Sequence, residues 1–206
     1  MTDLVLVRHG ETEWSAEGRY AGATDVPLNE AGREQARRLA AWVSGAQLAE
    51  AWSSPLTRAR ETAEIATGGA GLPLRIDPRL AELDFGEAEG LTSAQMRELF
   101  PDARAAFERD PAAHPLPGGE RPGAALARAL SCLEEISTGN PRARVMVVVH
   151  TALIRLLVCH LLGIALGDYR RRLPMIEHGA LTELRLDGGH AALLRLNAAP
   201  PQDGTR

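Results

Sequence analysis

The chain opens on a continuous apolar run, Leu4-Val5-Leu6-Val7, that stops abruptly at Arg8-His9-Gly10. A run without alternation, closed by polar groups, predicts a strand covered on both faces, as parallel strands are. Residues 145–149, Val-Met-Val-Val-Val, repeat the pattern and stop at His150. Between the two runs the spacing changes. Ala36, Leu39, Ala40 and Val43 recur at helical intervals, which predicts a helix from Glu30 to about Val43, capped by Asn29 and stopped by Gly45. A short strand near Ala51-Trp52 leads into Ser53-Ser54-Pro55. There Ser54 suits an N-cap and Pro55 a first helical position, so a helix is expected to about Ala66 with Arg58 in or just beyond its first turn.

The remaining patterns are shorter. Residues 74–76 read as a small strand, and Thr92 with Gln95 forms a capping box for a helix toward Leu99. Residues 111–123 are rich in proline and glycine and read as a surface loop, followed by a long helix over about 123–136. A helix over 152–162 ends at Gly163, and the runs 182–186 and 191–196 flank Asp187-Gly188-Gly189 as a hairpin. Strands alternating with helices predict an α/β fold, a three-layer α/β/α sandwich on a mostly parallel sheet. One domain is expected over 1–198, with 83–128 as substrate lid and 199–206 as a disordered tail.

Composition changes the picture in one respect. At 206 residues, 45% hydrophobic and 24% charged, the chain has material for a real core. Its net charge of −4 does not draw nucleic acid or an anionic membrane, so any anion site must be local. All 23 basic residues are arginine. Without lysine, Walker-A nucleotide binding and Schiff-base chemistry are excluded. Cys132 and Cys159 are not in CxxC spacing and no secretory signal precedes them, which predicts a reduced, cytoplasmic protein with both thiols packed in helices. The most apolar stretch, 145–162, contains His150, Arg155 and His160 and does not read as a membrane span. A homodimer is compatible with the sequence and not derivable from it.

Three strand ends carry polar groups at the turn into a helix: Arg8-His9-Gly10, Ser54 followed by Arg58, and His150. In an open parallel sheet such ends share one edge, where α/β proteins place ligands. Two imidazoles, two guanidiniums and a helix N-terminus suit a phosphate, because guanidinium forks match its oxygens and the helix adds backbone donors.

The order of further motifs sharpens this reading. Leu6-Val7-Arg8-His9-Gly10-Glu11-Thr12, Gly18-Arg19, Asp25-Val26-Pro27-Leu28, Ser53-Ser54-Pro55-Leu56 with Arg58-Ala59, Glu82-Leu83-Asp84-Phe85-Gly86, Pro117-Gly118-Gly119-Glu120 and His150 follow one another along nearly the whole chain. Together they resemble the histidine phosphatase superfamily, the phosphoglycerate-mutase-like proteins, and within it the broad-specificity and α-ribazole-phosphate phosphatases. The resemblance implies that His9 is the nucleophile, phosphorylated on Nε2. It implies that Arg8 and Arg58 hold the phosphoryl group, that His150 donates to one of its oxygens, and that Glu82 is the acid/base. It implies a small phosphorylated metabolite as substrate, with no cofactor and no metal, since arginines take the metal's place. Ser15 stands where the family commonly has asparagine, and Thr151 where it commonly has glycine. Both keep a hydroxyl donor and, with Arg19, are read as further phosphate contacts. Ala88, in place of a common tryptophan, is expected to open the pocket.

Two other functions fit less well. A bisphosphoglycerate-dependent mutase would resemble relatives that hold the substrate carboxylate with a lysine and paired arginines; this chain has no lysine, and Arg104 and Arg109 are a thin substitute. A non-catalytic binding module would not need all five chemical positions intact. His114 and His160 are assigned no role. His178 reads as an ordinary loop residue, Arg170-Arg171-Arg172 as a solvated charge run, and the arginines other than Arg8, Arg58 and Arg19 as surface.

Overall fold

The computed structural model describes residues 1–188 and 190–201. Gly189 of the hairpin turn and residues 202–206 of the expected tail lie outside the described residues. The strands are β1 (Thr2–Arg8), β2 (Glu50–Ser53), β3 (Leu74–Ile76), β4 (Arg144–Val149), β5 (Leu181–Asp187) and β6 (His190–Ala198). They form one sheet in the order β3-β2-β4-β1-β5-β6. The first four run parallel, while β5 pairs antiparallel with both β1 and β6.

Alternation along the central strands sorts the core into two layers. Leu4, Leu6, Val145, Val147 and Val149 face one way, against α6 (Pro122–Gly139) and α7 (Thr151–Leu161). Val5, Val7, Met146 and Val148 face the other, against α2 (Glu30–Val43) and α3 (Thr57–Thr67). Both faces are therefore apolar, which is why these strands read as unbroken hydrophobic runs. The result is the expected three-layer α/β/α sandwich. Cys132 and Cys159 are free and buried in α6 and α7, as packing residues. Among the described residues, no helix is long and apolar enough to cross a membrane.

The shorter helices are α1 (Glu13–Ala16), α4 (Ser93–Leu99), α5 (Pro101–Arg109) and α8 (Tyr169–Arg172). The first, third and fourth of these have no counterpart in the sequence reading. The α3 cap also differs from expectation. The helix begins at Thr57 rather than Pro55, and its capping carboxylate is the distant Asp25, which accepts from Thr57 N–H at 2.7 Å. Ser54 Oγ, ahead of the helix, still accepts from Leu56 N–H at 3.2 Å. The loop over 111–123 is not wholly at the surface, since Leu116 is buried in the core. Ala88 is also fully buried there and opens no pocket.

Candidate active site

Strand register brings the site together. β1 and β4 pair with Arg8 opposite Val149, so the next residues, His9 and His150, leave adjacent strands side by side. Their ring centroids are 5.0 Å apart. β2 flanks β4 with Ser53 opposite Val148, and Ser54 follows with its hydroxyl 2.8 Å from His150 Nε2. On the far side of β1, the loop before β5 approaches: Gly179 N–H donates to Arg8 O at 2.9 Å, and His178 Nδ1 lies 2.9 Å from His9 O. The turn after His9 packs backbone against backbone. A Cβ on Gly10 would lie 2.5 Å from Gly32 O, and one on Gly32 would lie 2.2 Å from Glu11 O.

The protonation of His9 follows from its partner. Nδ1 lies 2.6 Å from the Gly10 carbonyl, which only accepts, so Nδ1 carries the hydrogen and Nε2 carries the lone pair. Burial, followed by His150, Arg58 and Arg8, holds the His9 pKa well below the ordinary imidazole value. His150 is lowered in the same way, by burial first and then Arg58. His178 is lowered to about 4 by burial and by Arg8.

Of the two sequence-selected arginines beside these rings, Arg58 is buried and Arg8 half-buried. Arg58, at the start of α3, donates to Thr24 O at 2.8 Å and to Gly22 O at 2.6 Å. Arg8 donates to Ile176 O. Burial pushes the Arg8 guanidinium down to about 10, with Arg155 adding to the effect, and burial lowers Arg58 as well. Neither Nε has a hydrogen-bond partner, and nor has His150 Nδ1 or Thr151 Oγ1. Buried donors left open in this way are costly unless a ligand meets them.

Glu82 is 5% exposed and lines the same cleft. Its carboxylate sits over the N-terminus of α7, where Oε2 accepts from Ala152 N–H at 3.0 Å and Oε1 from Leu153 N–H at 3.1 Å. Oε1 also accepts from Leu83 N–H at 2.9 Å. A carboxylate has about four lone-pair sites. With three filled, one on Oε2 stays open.

The cleft has a volume of about 200 Å³ and is lined by Arg8, His9, Arg58, Glu82 and Thr151, with Ser15 and Arg19 at its side. Ser15 and Arg19 are engaged elsewhere. The Ser15 hydroxyl donates to Thr12 O at 2.9 Å within the α1 capping box, and Arg19 reaches Glu17, Gly90 O and Gln95. The sequence reading missed four contributors. Tyr20, Phe85's ring edge partner at 5.0 Å, walls the cleft, and so do Arg155 and Arg170. His178 contacts the His9 ring at 5.6 Å rather than idling in a loop. Arg170 thus departs from the solvated run, whereas Arg171 and Arg172 remain exposed. Arg104 and Arg155, expected at the surface, are buried. His114 and His160 are exposed and far from the cleft lining.

A larger depression of about 690 Å³ lies at the other ends of β1 and β4. In it Arg144 pairs with Glu183 at 3.0 Å and Arg185 with Asp3 at 2.7 Å, and its lining contains no imidazole. Among the described residues, no three His, Cys, Asp or Glu side chains group as a metal site requires.

Comparison with known proteins agrees with this chemistry. The chain is 34% identical over 169 residues to phosphoserine phosphatase 1 of Hydrogenobacter thermophilus, which covers 82% of this chain and 80% of that one. The solved structure of Bacillus stearothermophilus YhfR superposes with a TM-score of 0.90 at 32% identity, covering 97% of this chain and 98% of the other. A putative α-ribazole-5′-P phosphatase from Escherichia coli superposes at 0.84 with 26% identity, covering 96% and 98%. The family model of the histidine phosphatase superfamily, branch 1, matches residues 4–199, and the chain belongs to that superfamily.

Proposed function

We propose that the chain is a phosphatase that hydrolyses a small phosphate monoester through a phosphohistidine at His9, without a metal. The observation that carries this reading is the Nε2 lone pair of His9, held in place by Gly10 O among half-buried Arg8 and buried Arg58 and His150. Phosphoryl transfer demands positioning and positive charge around the equatorial oxygens more than covalent help from the protein. Arg8 and Arg58 carry two positive charges, about the charge of a phosphate dianion. His150 supplies a further donor from its unpartnered Nδ1 if the Ser54 hydroxyl donates to Nε2.

The steps balance as follows. The His9 Nε2 lone pair attacks phosphorus as the ester P–O bond breaks, and the departing oxygen takes its proton from Glu82 Oε2. The carboxylate then removes a proton from water, whose oxygen attacks the phosphohistidine, releasing inorganic phosphate and restoring His9. Alcohols are poor leaving groups, so the acid is needed in the first step. Residues 1–198 act as one domain, and the segment 83–128 forms the substrate wall through Phe85.

p-Nitrophenyl phosphate turnover, with and without EDTA, tests the reading. Turnover should persist in EDTA and fall about a thousandfold or more in His9→Ala. Labelled phosphate should be trapped on His9 under alkaline quench. Undiminished activity of His9→Ala, or strict dependence on a divalent ion, would contradict the mechanism.

A further inference from the structure

The two peptides that follow His9 in the chain are each held at both of their polar atoms. In the His9–Gly10 peptide, the carbonyl faces His178 Nδ1 at 2.9 Å and the N–H donates to Thr62 Oγ1 at 3.0 Å. In the Gly10–Glu11 peptide, the carbonyl is the one that sets the His9 tautomer, and the N–H donates to Gln35 Oε1 at 2.8 Å. Neither Thr62 nor Gln35 lines the cleft. Both stand directly behind the turn that carries the nucleophile.

The direction of each bond is fixed. Thr62, on α3, is 1% exposed, and its hydroxyl donates to Arg58 O at 2.6 Å. That carbonyl only accepts, so the single hydroxyl hydrogen is committed there and an oxygen lone pair is left for Gly10 N–H. One buried hydroxyl thus joins the turn after His9 to the backbone of Arg58. Gln35 reaches the same turn from α2. Gly32 lies one turn before it on the same face, and its missing side chain admits the Glu11 carbonyl, which a Cβ would meet at 2.2 Å.

These bonds control where Gly10 O stands. His9 Nδ1 keeps its hydrogen because that carbonyl lies 2.6 Å away. Once the peptide swings aside, the ring is free to carry its hydrogen on Nε2, where no lone pair then remains for phosphorus. A purely structural clamp would satisfy two backbone donors and leave the ring indifferent to it.

We propose that Gln35 and Thr62 are positioning residues that hold His9 in its nucleophilic tautomer, by fixing the two peptides that bring Gly10 O to Nδ1. The inference rests on the phosphatase reading for its use, but the tautomer is read without turnover. Ring-nitrogen NMR of the full-length chain at neutral pH, with His9→Ala identifying the signal, should show a proton-bearing Nδ1 and a bare Nε2. Thr62→Val keeps the shape and removes the hydroxyl, and Gln35→Met removes the other acceptor. In both, the two nitrogen shifts should converge as the Nε2–H form becomes populated. With p-nitrophenyl phosphate, kcat should fall about tenfold to a hundredfold while KM stays within about twofold, since orientation rather than binding is lost. Thr62→Ser and Gln35→Glu, which keep an acceptor, should restore the tautomer and most of kcat.

Because Thr62 is buried, Gln35→Met, at a half-buried position, carries the test where Thr62→Val does not fold. An unchanged His9 tautomer in the folded variants or an undiminished kcat would overturn the proposal. So would serine and glutamate variants as impaired as the valine and methionine ones. An unaltered chain without turnover would fault the phosphatase reading alone, and the nitrogen shifts would still decide this one.

Discussion

At the scale of single residues, the site depends on keeping imidazoles neutral among guanidiniums. The nucleophilic form of His9 is the unprotonated one. A pKa held well below 6.5 keeps it unprotonated as pH falls, so activity owed to His9 should persist below pH 6.5 rather than halve there. NMR of ring-labelled protein, with His9→Ala identifying the signal, should show no His9 titration between pH 8 and 5.5. A midpoint near 6.5 would remove the electrostatic argument. The residues legible in the sequence are those at strand ends, because an abrupt polar stop after an apolar run marks them locally. Arg155 and Arg170 carry no such mark. Arg155 sits in a helical apolar pattern, and Arg170 becomes a cleft residue only because Tyr20, distant in sequence, lies beneath it. Glu82 was named by resemblance alone, since nothing nearby in sequence announces that it meets the amides of residues 152 and 153.

At the scale of elements, one carboxylate has two tasks. Glu82 caps α7 and, in the proposed mechanism, delivers the leaving-group proton. Glu82→Gln retains one carbonyl acceptor and loses the acid, so the tasks separate. Stability should fall by about 0.5–2 kcal/mol, the usual cost of a weakened helix cap, read from urea unfolding. Turnover of an alkyl phosphate should fall much more than that of p-nitrophenyl phosphate, whose leaving group departs without a proton. Equal losses on both substrates would reduce Glu82 to a structural cap. Caps also explain which helices were legible. Asn29 and Thr92 satisfy the first turns of α2 and α4 from within their own sequence, accepting from Gly32 and Gln95 N–H. The cap of α3 comes from Asp25, a tertiary partner, so local pattern misplaced its start by two residues. Helices α1 and α8 span one turn each, too short for a periodicity to emerge.

At the scale of the whole molecule, this site works against the fold that carries it. The sandwich buries Arg58, Arg155 and the Nε of half-buried Arg8, leaving all three Nε donors orphaned and none of the three paired with a carboxylate among the described residues. Such groups weaken the empty native state, and they make anion binding part of its stability. A ligand that binds only the native chain contributes about 2.7 kcal/mol at a concentration of 100 Kd. For a chain of this length that corresponds to a rise in Tm of about 5–10 °C. Inorganic phosphate should therefore raise Tm by that amount at saturation, while sodium chloride at equal ionic strength should not, since screening alone fills no donor. Arg58→Met should lose most of the shift, because Arg58 lines the cleft and its Nε is one of the open donors. A Tm that rises equally in chloride and phosphate, or a shift that survives Arg58→Met, would mean that the cationic cleft does not recognise phosphate. The fold would then have to tolerate its buried arginines for some other reason.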